Sequence, residues 1–168
     1  MKNTSRLTVV GILATALLAL LATSAAIAQS SAHVMENLAA AKWGPAPPML
    51  PPGAQIAVLS GDPTKAVPYT VRLKFPANYV IPAHSHPTDE NVVVTSGAVT
   101  FGMGDKLVKG AAGSKTLSVG GYFLAATGMN HFAYTTQEST IVLYGVGPVL
   151  FNYVNPNDDP RNAKNSSK

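Results

Sequence analysis

The chain has 168 residues, which is enough for one domain and argues against a two-domain enzyme. Charged residues make up 12% and the formal net charge is +4, but the lysines are scattered and no basic run alternates with aromatic residues, which argues against a nucleic-acid partner. Cysteine is absent, which excludes disulfide bonds and lipoprotein attachment.

The first 28 residues have the pattern of a secretory signal peptide. Lys2 and Arg6 precede an apolar run over residues 7–21, and the small residues Ala26 and Ala28 follow. The run is shorter than the ~20 residues of a spanning helix, which favours cleavage after Ala28 over an uncleaved anchor. Cleavage lowers the count of basic residues from 12 to 10 against 8 acidic residues, giving a net charge of +2. We therefore predict a periplasmic or secreted protein with no membrane partner once the signal is removed.

The mature chain is predicted to form one all-β domain at 55–154 between an N-terminal proline-rich arm at 29–54 and a loose polar tail at 155–168. Within the arm, a short helix is predicted over 29–41. In the run 69–75 apolar residues occupy every second position, as in an antiparallel strand with one face on a core. The predicted strands are 55–60, 69–75, 91–96, 98–103, 116–119, 122–125, 132–136, 140–144 and 149–154. Their rhythm is typical of a β-sandwich or β-barrel.

Three of the four histidines and one glutamate have the spacing of a metal site. His84 and His86 are two residues apart, so on an extended strand both imidazoles project from the same face. Glu90 follows four residues later, and Pro87 allows the chain to turn so that the carboxylate returns to the same ion. His131 offers a third nitrogen from a later strand. These ligands suit one divalent transition metal ion, Zn, Cu, Fe, Mn or Ni, with one or two coordination positions left open.

The first part of this pattern resembles the first motif of the cupin superfamily. His84, His86, Glu90 and Gly97 match a His-x-His, three residues, Glu, six residues, Gly. The motif normally opens with glycine six residues before its first histidine, and Asn78 stands there. Because asparagine tolerates left-handed backbone, we expect the turn to survive.

A second cupin motif follows later in the chain. Gly120, Gly128 and His131 are in register with it, whereas Ala126 replaces a proline and Thr135 replaces an asparagine. The resemblance covers residues 55–154 and implies a single-domain cupin-type antiparallel β-barrel, jelly-roll-like, with the four ligands inside it. More narrowly, the Trp-Gly-Pro of the arm and the Gly-Asp-Pro at 61–63 look like those of exported bacterial cupins related to the cupin half of anti-sigma regulators.

An open metal position beside apolar walls suits two kinds of enzyme. One is dioxygenase-like oxygen activation on a redox metal, and the other is isomerase or lyase chemistry with the metal as a Lewis acid. No Ser-His-Asp triad, paired carboxylates or phosphate loop is evident, so no catalytic residue is assigned beyond the ligands. Six side chains are candidates to line the pocket, although core packing is the commoner role for each. They are Tyr79, Phe101, Met103, Met129, Tyr134 and Tyr144.

The alternative is a non-catalytic periplasmic protein that binds or senses a metal or a small ligand. A dedicated catalyst usually adds a positioned acid or base to its metal, and the nearest one, Asp89, is expected to point away from Glu90 into solvent. Either way the partner is a small molecule. Edge strands of a small barrel are commonly covered by a partner, and the arm segment 43–52 could exchange across such an interface, so we expect a homodimer.

Overall fold

Strands dominate the protein, as the computed structural model shows for residues 33–162. The predicted signal peptide lies outside the described residues. Two three-residue 3-10 turns, Leu38–Ala40 and Pro156–Asp158, are the only helical segments in 33–162, and no helix there has the length and hydropathy to span a membrane. The strands are β1 (Gly44–Pro45), β2 (Gln55–Gly61), β3 (Pro68–Phe75), β4 (Val80–Ser85), β5 (Glu90–Ser96), β6 (Ala98–Met103), β7 (Lys115–Ser118), β8 (Tyr122–Ala125), β9 (His131–Thr135), β10 (Ser139–Val146) and β11 (Asn152–Tyr153). The all-β prediction is confirmed.

The strands form two antiparallel sheets with jelly-roll-like crossings. One sheet has the order β1-β2-β3-β10-β5-β8, and the other has the order β11-β4-β9-β6-β7. Side chains of both sheets meet in one buried apolar cluster, to which β3 contributes Val71, Leu73 and Phe75. Burial alternates along β3, as the sequence pattern predicts.

Strand β4 is absent from the strands predicted by the sequence, although it carries the first histidine of the motif. Pro82 lies in its middle and has no N–H to donate, which removes the usual strand signal. The structure accommodates Pro82 at a register shift between Ile81 and His84 in the pairing of β4 with β9. A proline at such an irregularity costs no ladder hydrogen bond, so the strand continues past it to Ser85.

The arm packs closely on the domain that follows it. Strand β1 pairs with β2 of the same chain, and Leu50 and Ala54 belong to the buried apolar cluster. The Tyr153 hydroxyl donates to the Met49 carbonyl at 2.7 Å, which ties the arm to β11. From residue 33 onward the predicted arm helix is reduced to the turn Leu38–Ala40.

The first part of the polar tail is held to the domain, unlike the loose segment expected from its composition. The Asn155 side chain caps the turn Pro156–Asp158. Arg161 pairs with Asp159 and donates to the Phe151 carbonyl at 2.9 Å. Composition alone gave no sign of this contact, because it joins residues ten positions apart through a side chain and a backbone carbonyl.

Candidate metal centre

Three histidine side chains converge inside the domain, between the two sheets. His84 is the last residue but one of β4 and pairs with His131, the first residue of β9. His86 lies just beyond the end of β4. The ligand nitrogens of the three lie within 4.8 Å of one another. Their relative exposures are only 2%, 3% and 2% for His84, His86 and His131. The predicted gathering of these histidines at one point is therefore observed.

Each imidazole is oriented by a backbone carbonyl. Nδ1 of His84 lies 2.7 Å from the Pro82 carbonyl, and Nδ1 of His131 lies 3.0 Å from the Met129 carbonyl, in both cases two residues earlier in the chain. A carbonyl can only accept, so each Nδ1 carries the proton and donates it. Each neutral ring then keeps a lone pair on Nε2, which is the tautomer that metal sites require.

His86 is oriented by a residue far away in the sequence. Its Nδ1 lies 2.7 Å from the carbonyl of Leu150. The next residue, Phe151, stacks on the His84 ring at 4.4 Å between centroids and meets the His86 ring edge-on at 4.7 Å. The segment that leads into β11 therefore fixes two of the three rings.

The Glu90 carboxylate approaches the histidines from the start of β5. Its Oε2 lies 3.5 Å from Nε2 of His86, and the residue is 7% exposed. Glu90 is not a member of the mutually close group, which contains only the three histidines among the described residues. The predicted fourth ligand thus stands beside the cluster, on the side of His86.

Burial and neighbouring charges shift the pKa values of the three histidines in different directions. Burial lowers the pKa of His84, and the neighbouring His131 and His86 lower it further. Burial also lowers the pKa of His131. Burial lowers the pKa of His86 too, but the Glu90 carboxylate and the Leu150 carbonyl together outweigh it, and the net pKa of His86 is raised. Two of the rings are thus held neutral, the form in which imidazole binds metals.

One atom tests whether a cation fits here. Nε2 of His86 is fully buried and makes no hydrogen bond within residues 33–162, although the Glu90 carboxylate lies 3.5 Å away, too far and too poorly aligned for one. A buried polar nitrogen left unpaired costs about 1–3 kcal/mol, and native proteins rarely accept this cost without a reason. Three converging imidazole lone pairs beside a carboxylate are a donor set for Zn, Cu, Fe, Mn or Ni. The residues present therefore fit a divalent transition metal ion.

A small cavity adjoins the histidines. It has a volume of about 30 Å³ and is lined by His84, Glu90 and His131 together with apolar side chains that include Phe101 and Phe151. A second cavity of about 70 Å³ shares Leu50, Leu73, Glu90, Leu143 and Phe151 with the first. A water needs only about 10–15 Å³ on this measure, so the site has room for small molecules beside the histidines.

The chain matches a known protein family over most of its length. A family model described as the ChrR cupin-like domain matches residues 31–150. The chain belongs to this cupin family. No curated protein matches the chain.

Solved cupin structures share the fold at low identity. The polyketide cyclase RemF from Streptomyces resistomycificus gives a TM-score of 0.57 at 15% identity, over 78% of this chain and 93% of that one. An acetylacetone dioxygenase from Acinetobacter johnsonii gives 0.55 at 18% identity, over 76% and 80%. An RmlC-like cupin from Shewanella frigidimarina gives 0.51 at 12% identity, over 76% and 96%. These likenesses establish the cupin fold and no more.

The departures from the cupin motifs fall on positions that keep their backbone roles. Asn78 has a φ of +61°, the left-handed conformation predicted for it in place of glycine. Thr135 accepts a hydrogen bond from the Tyr79 N–H at 3.1 Å and donates one to the Pro76 carbonyl at 2.8 Å. Thr135 therefore ties the turn before β4 to the end of β9.

The six candidate pocket residues lie in different places. Phe101 lines the small cavity with the histidines. Tyr79 is buried in the core, where it stacks on Phe75 and its hydroxyl donates to the Pro51 carbonyl. Tyr144 points outward because β10 alternates and its neighbour Leu143 points inward. The exposures of Met103, Met129 and Tyr144 are 44%, 50% and 38%. Tyr134 is half-buried, with its hydroxyl accepting from the Gly110 N–H and Lys109 over its ring.

Three contributors to the site could not be identified from the sequence. Phe151 and the Leu150 carbonyl hold the histidine rings, but they lie in the apolar run 149–154 and no local pattern distinguishes them from core residues. Tyr69 is buried at the start of β3 and lines the larger cavity with Glu90. Burial raises the pKa of the Tyr69 phenol, and the charge of Glu90 raises it further, so this hydroxyl stays protonated. The alternation along β3 places Tyr69 inward, but only the structure places it beside Glu90.

Proposed function

We propose that this cupin is an exported metal-dependent enzyme acting on a small molecule, with His84, His86, His131 and Glu90 holding one divalent transition metal ion. The observation that carries the proposal is the buried, unpaired Nε2 of His86, which faces two other imidazoles whose Nδ1 protons are already donated. Such an arrangement is costly without a cation and favourable with one.

The chemistry follows from the ion and from what surrounds it. A bound divalent transition metal supplies Lewis acidity or, when it is redox-active, a route for electrons between substrate and dioxygen. The chain contributes oriented neutral imidazoles, and Glu90 offers a negative charge that offsets that of the ion. Phe101 and Phe151 line the adjoining cavity and make its walls largely apolar.

Dioxygenase-like oxygen activation on Fe, Mn, Cu or Ni and isomerase or lyase chemistry on Zn or Mn both fit this site. The small cavity favours compact substrates, since it is well below the volume of about 150 Å³ of an apolar cavity known to bind benzene. The shared fold of the acetylacetone dioxygenase and of the polyketide cyclase RemF supports the choice of small enols and diketones as first substrates.

Metal analysis combined with oxygen uptake tests the proposal. The protein is loaded separately with Fe, Cu and Zn and mixed with small diketones and enols, with a flavonol as a substrate too large for the cavities. Oxygen uptake that follows the redox metal supports the dioxygenase, and turnover without oxygen uptake on zinc supports the isomerase or lyase. A protein that binds none of these ions at micromolar concentration contradicts the metal site itself.

A non-catalytic binding or sensing protein is the second candidate. The observation that favours it is the scarcity of acid or base groups: apart from the histidines, Glu90 and Tyr69 are the only titratable side chains lining the two described cavities. Metal binding without turnover of any substrate in the screen supports this alternative.

Export and assembly are further parts of the proposal. Sequencing the N-terminus of protein recovered from the periplasm tests cleavage after Ala28, and an intact N-terminus in the cytoplasm contradicts it.

We also propose a homodimer. The exposed apolar side chains of edge strand β8, Tyr122 and Leu124, offer a surface for it. A monomeric mass in solution contradicts the dimer.

A further inference from the structure

Tyr69 differs from the other inward-facing tyrosines of the domain. It is 4% exposed as a residue, and its hydroxyl makes no hydrogen bond to another group of residues 33–162; because the hydroxyl oxygen is not among the fully enclosed unpaired atoms of that range, it keeps some accessible surface. Tyr79 and Tyr153 each donate to a backbone carbonyl, those of Pro51 and Met49. The Tyr69 hydroxyl instead faces the cavity that this residue lines, where a water molecule or a ligand from outside the chain can accept its proton.

A glycine opens the space into which this hydroxyl projects. In the sheet, Tyr69 on β3 pairs with Gly145 on β10, and Gly145 pairs with Glu90 on β5, so the three form one row on the same face. A Cβ at position 145 would lie 3.3 Å from the Tyr69 hydroxyl and 2.8 Å from the Asp89 carbonyl. The missing side chain thus leaves the Tyr69 ring lying across β10 toward Glu90.

The space is otherwise apolar. The cavity of about 70 Å³ is lined by Tyr69 and Glu90 among aliphatic, proline and aromatic side chains. Its other polar side chain, Thr64, already donates its hydroxyl proton to Asp62 at 2.6 Å. Tyr69 is therefore the hydrogen-bond donor of this cavity that remains available. The nearby negative charge of Glu90 disfavours an anionic occupant.

We propose that Tyr69 anchors the ligand of this site, donating its hydroxyl proton in a hydrogen bond to the carbonyl oxygen of a small, uncharged, otherwise apolar ketone held between β3 and the histidines. This inference rests on the proposed function, because the ketone is the small molecule that the metal centre would act on. The chemistry is binding alone, and no bond to the ketone is made or broken by Tyr69. Tyr69 is thus a positioning and specificity-determining residue.

A matched pair of ligands tests the hydrogen bond. Butan-2-one carries the acceptor oxygen, and 2-methylbut-1-ene has nearly the same shape with a methylene in its place. Dissociation constants for both are measured by NMR titration of the zinc-loaded protein, of Tyr69→Phe and of the control Tyr122→Phe. Tyr122 is half-exposed and its hydroxyl bonds Asn91 at the surface. We expect Tyr69→Phe to weaken butan-2-one binding about 3- to 10-fold and leave the alkene unchanged, with no effect of Tyr122→Phe.

Three results overturn the inference. Equal weakening of both ligands means that the ring matters and the hydroxyl does not. No binding of either ligand to the zinc-loaded wild type means that the cavity does not take this class. A lower melting temperature or loss of folding in Tyr69→Phe means that the hydroxyl has a structural partner, whereas we expect a melting temperature equal to or above that of the wild type. A zinc titration of each variant separates these results from failure of the proposed function, which would appear as loss of zinc binding by the wild type.

Discussion

The buried polar side chains at the two ends of strand β9 differ in whether the chain provides their hydrogen-bond partners. At its last residue, Thr135 both accepts and donates a hydrogen bond, and nearby Ser139 bonds the backbone of Ala98 in both directions. At its first residue, His131 joins His84 and His86, whose Nε2 is buried without a partner. The hydrogen bonds of the first group are all made within the chain, whereas the second group keeps a ring nitrogen available for a ligand. We therefore assign a structural role to one end of the strand and the proposed metal binding to the other.

Metal removal should have the largest effect, because it acts directly on the proposed metal centre. A ligand present at 1,000 times its Kd stabilises the native state by about 4 kcal/mol. For a domain of this size that corresponds to a fall of about 10–15 °C in melting temperature when the metal is stripped with a chelator. Calorimetry of metal-loaded and verified metal-free protein measures it. An unchanged melting temperature contradicts the assignment of this end to a cation.

The substitution His86→Asn tests the roles of the two ring nitrogens of His86 separately. An asparagine N–H can replace Nδ1–H toward the Leu150 carbonyl, but it places no nitrogen at the position of Nε2. We expect zinc affinity to fall by roughly 100-fold, while the metal-free protein keeps its melting temperature or gains slightly, because an unpaired buried atom is removed. Competition with a chromophoric chelator measures the affinity. A metal-free protein that is strongly destabilised would show that Nε2 already has a structural partner.

At the opposite end of β9, Thr135→Val should have the reverse effect. The valine keeps the volume but leaves the Tyr79 N–H and the Pro76 carbonyl unpaired, which costs about 2 kcal/mol and lowers the melting temperature by about 5–8 °C. Zinc affinity should stay within about twofold of the wild type. Thr116→Val is a control, since the Thr116 hydroxyl bonds another hydroxyl, that of Thr100 at 2.7 Å, and not the backbone. A large loss of zinc affinity in Thr135→Val would mean that the two ends are coupled.

The metal-ligand candidates could be predicted from the sequence better than the groups that orient them, and the reason is physical. The His-x-His spacing reflects the two-residue period of extended backbone, so it identifies both ligand candidates. It does so even though Pro82 prevented the prediction of β4, the strand that contains His84 and ends one residue before His86. The conformation of Asn78 was also predictable, because few other residues tolerate a left-handed turn. Most of the nine predicted strands lie within a residue or two of those observed, because alternation and glycine turns are local signals.

The groups that orient the ligands could not be predicted in this way. The Leu150 carbonyl reaches His86 across 64 residues, and a backbone carbonyl leaves no trace in the identity of its residue. Tyr69 meets Glu90 only because Gly145 lies between them in a row of three strands, and strand order is not written in any local window. The exposed positions of Met103 and Met129 likewise depend on where the strands end. Contacts between distant segments are what the sequence alone left open.

Asp89→Ala should have the smallest effect, because it loosens a loop at the histidine end without touching a ligand. Asp89 is exposed, as predicted, but its carboxylate accepts hydrogen bonds from the Thr127 N–H and hydroxyl, both at 2.8 Å. This tie steadies the loop whose Met129 carbonyl orients His131. We expect a twofold to threefold loss of zinc affinity with a melting temperature within about 2 °C of the wild type. Asp158→Ala, in the tail, is the control and should change neither. Equal affinities in the two variants would show that the second hydrogen bond between these loops, from the Gly128 N–H to the His86 carbonyl at 2.9 Å, is sufficient to hold His131 in place.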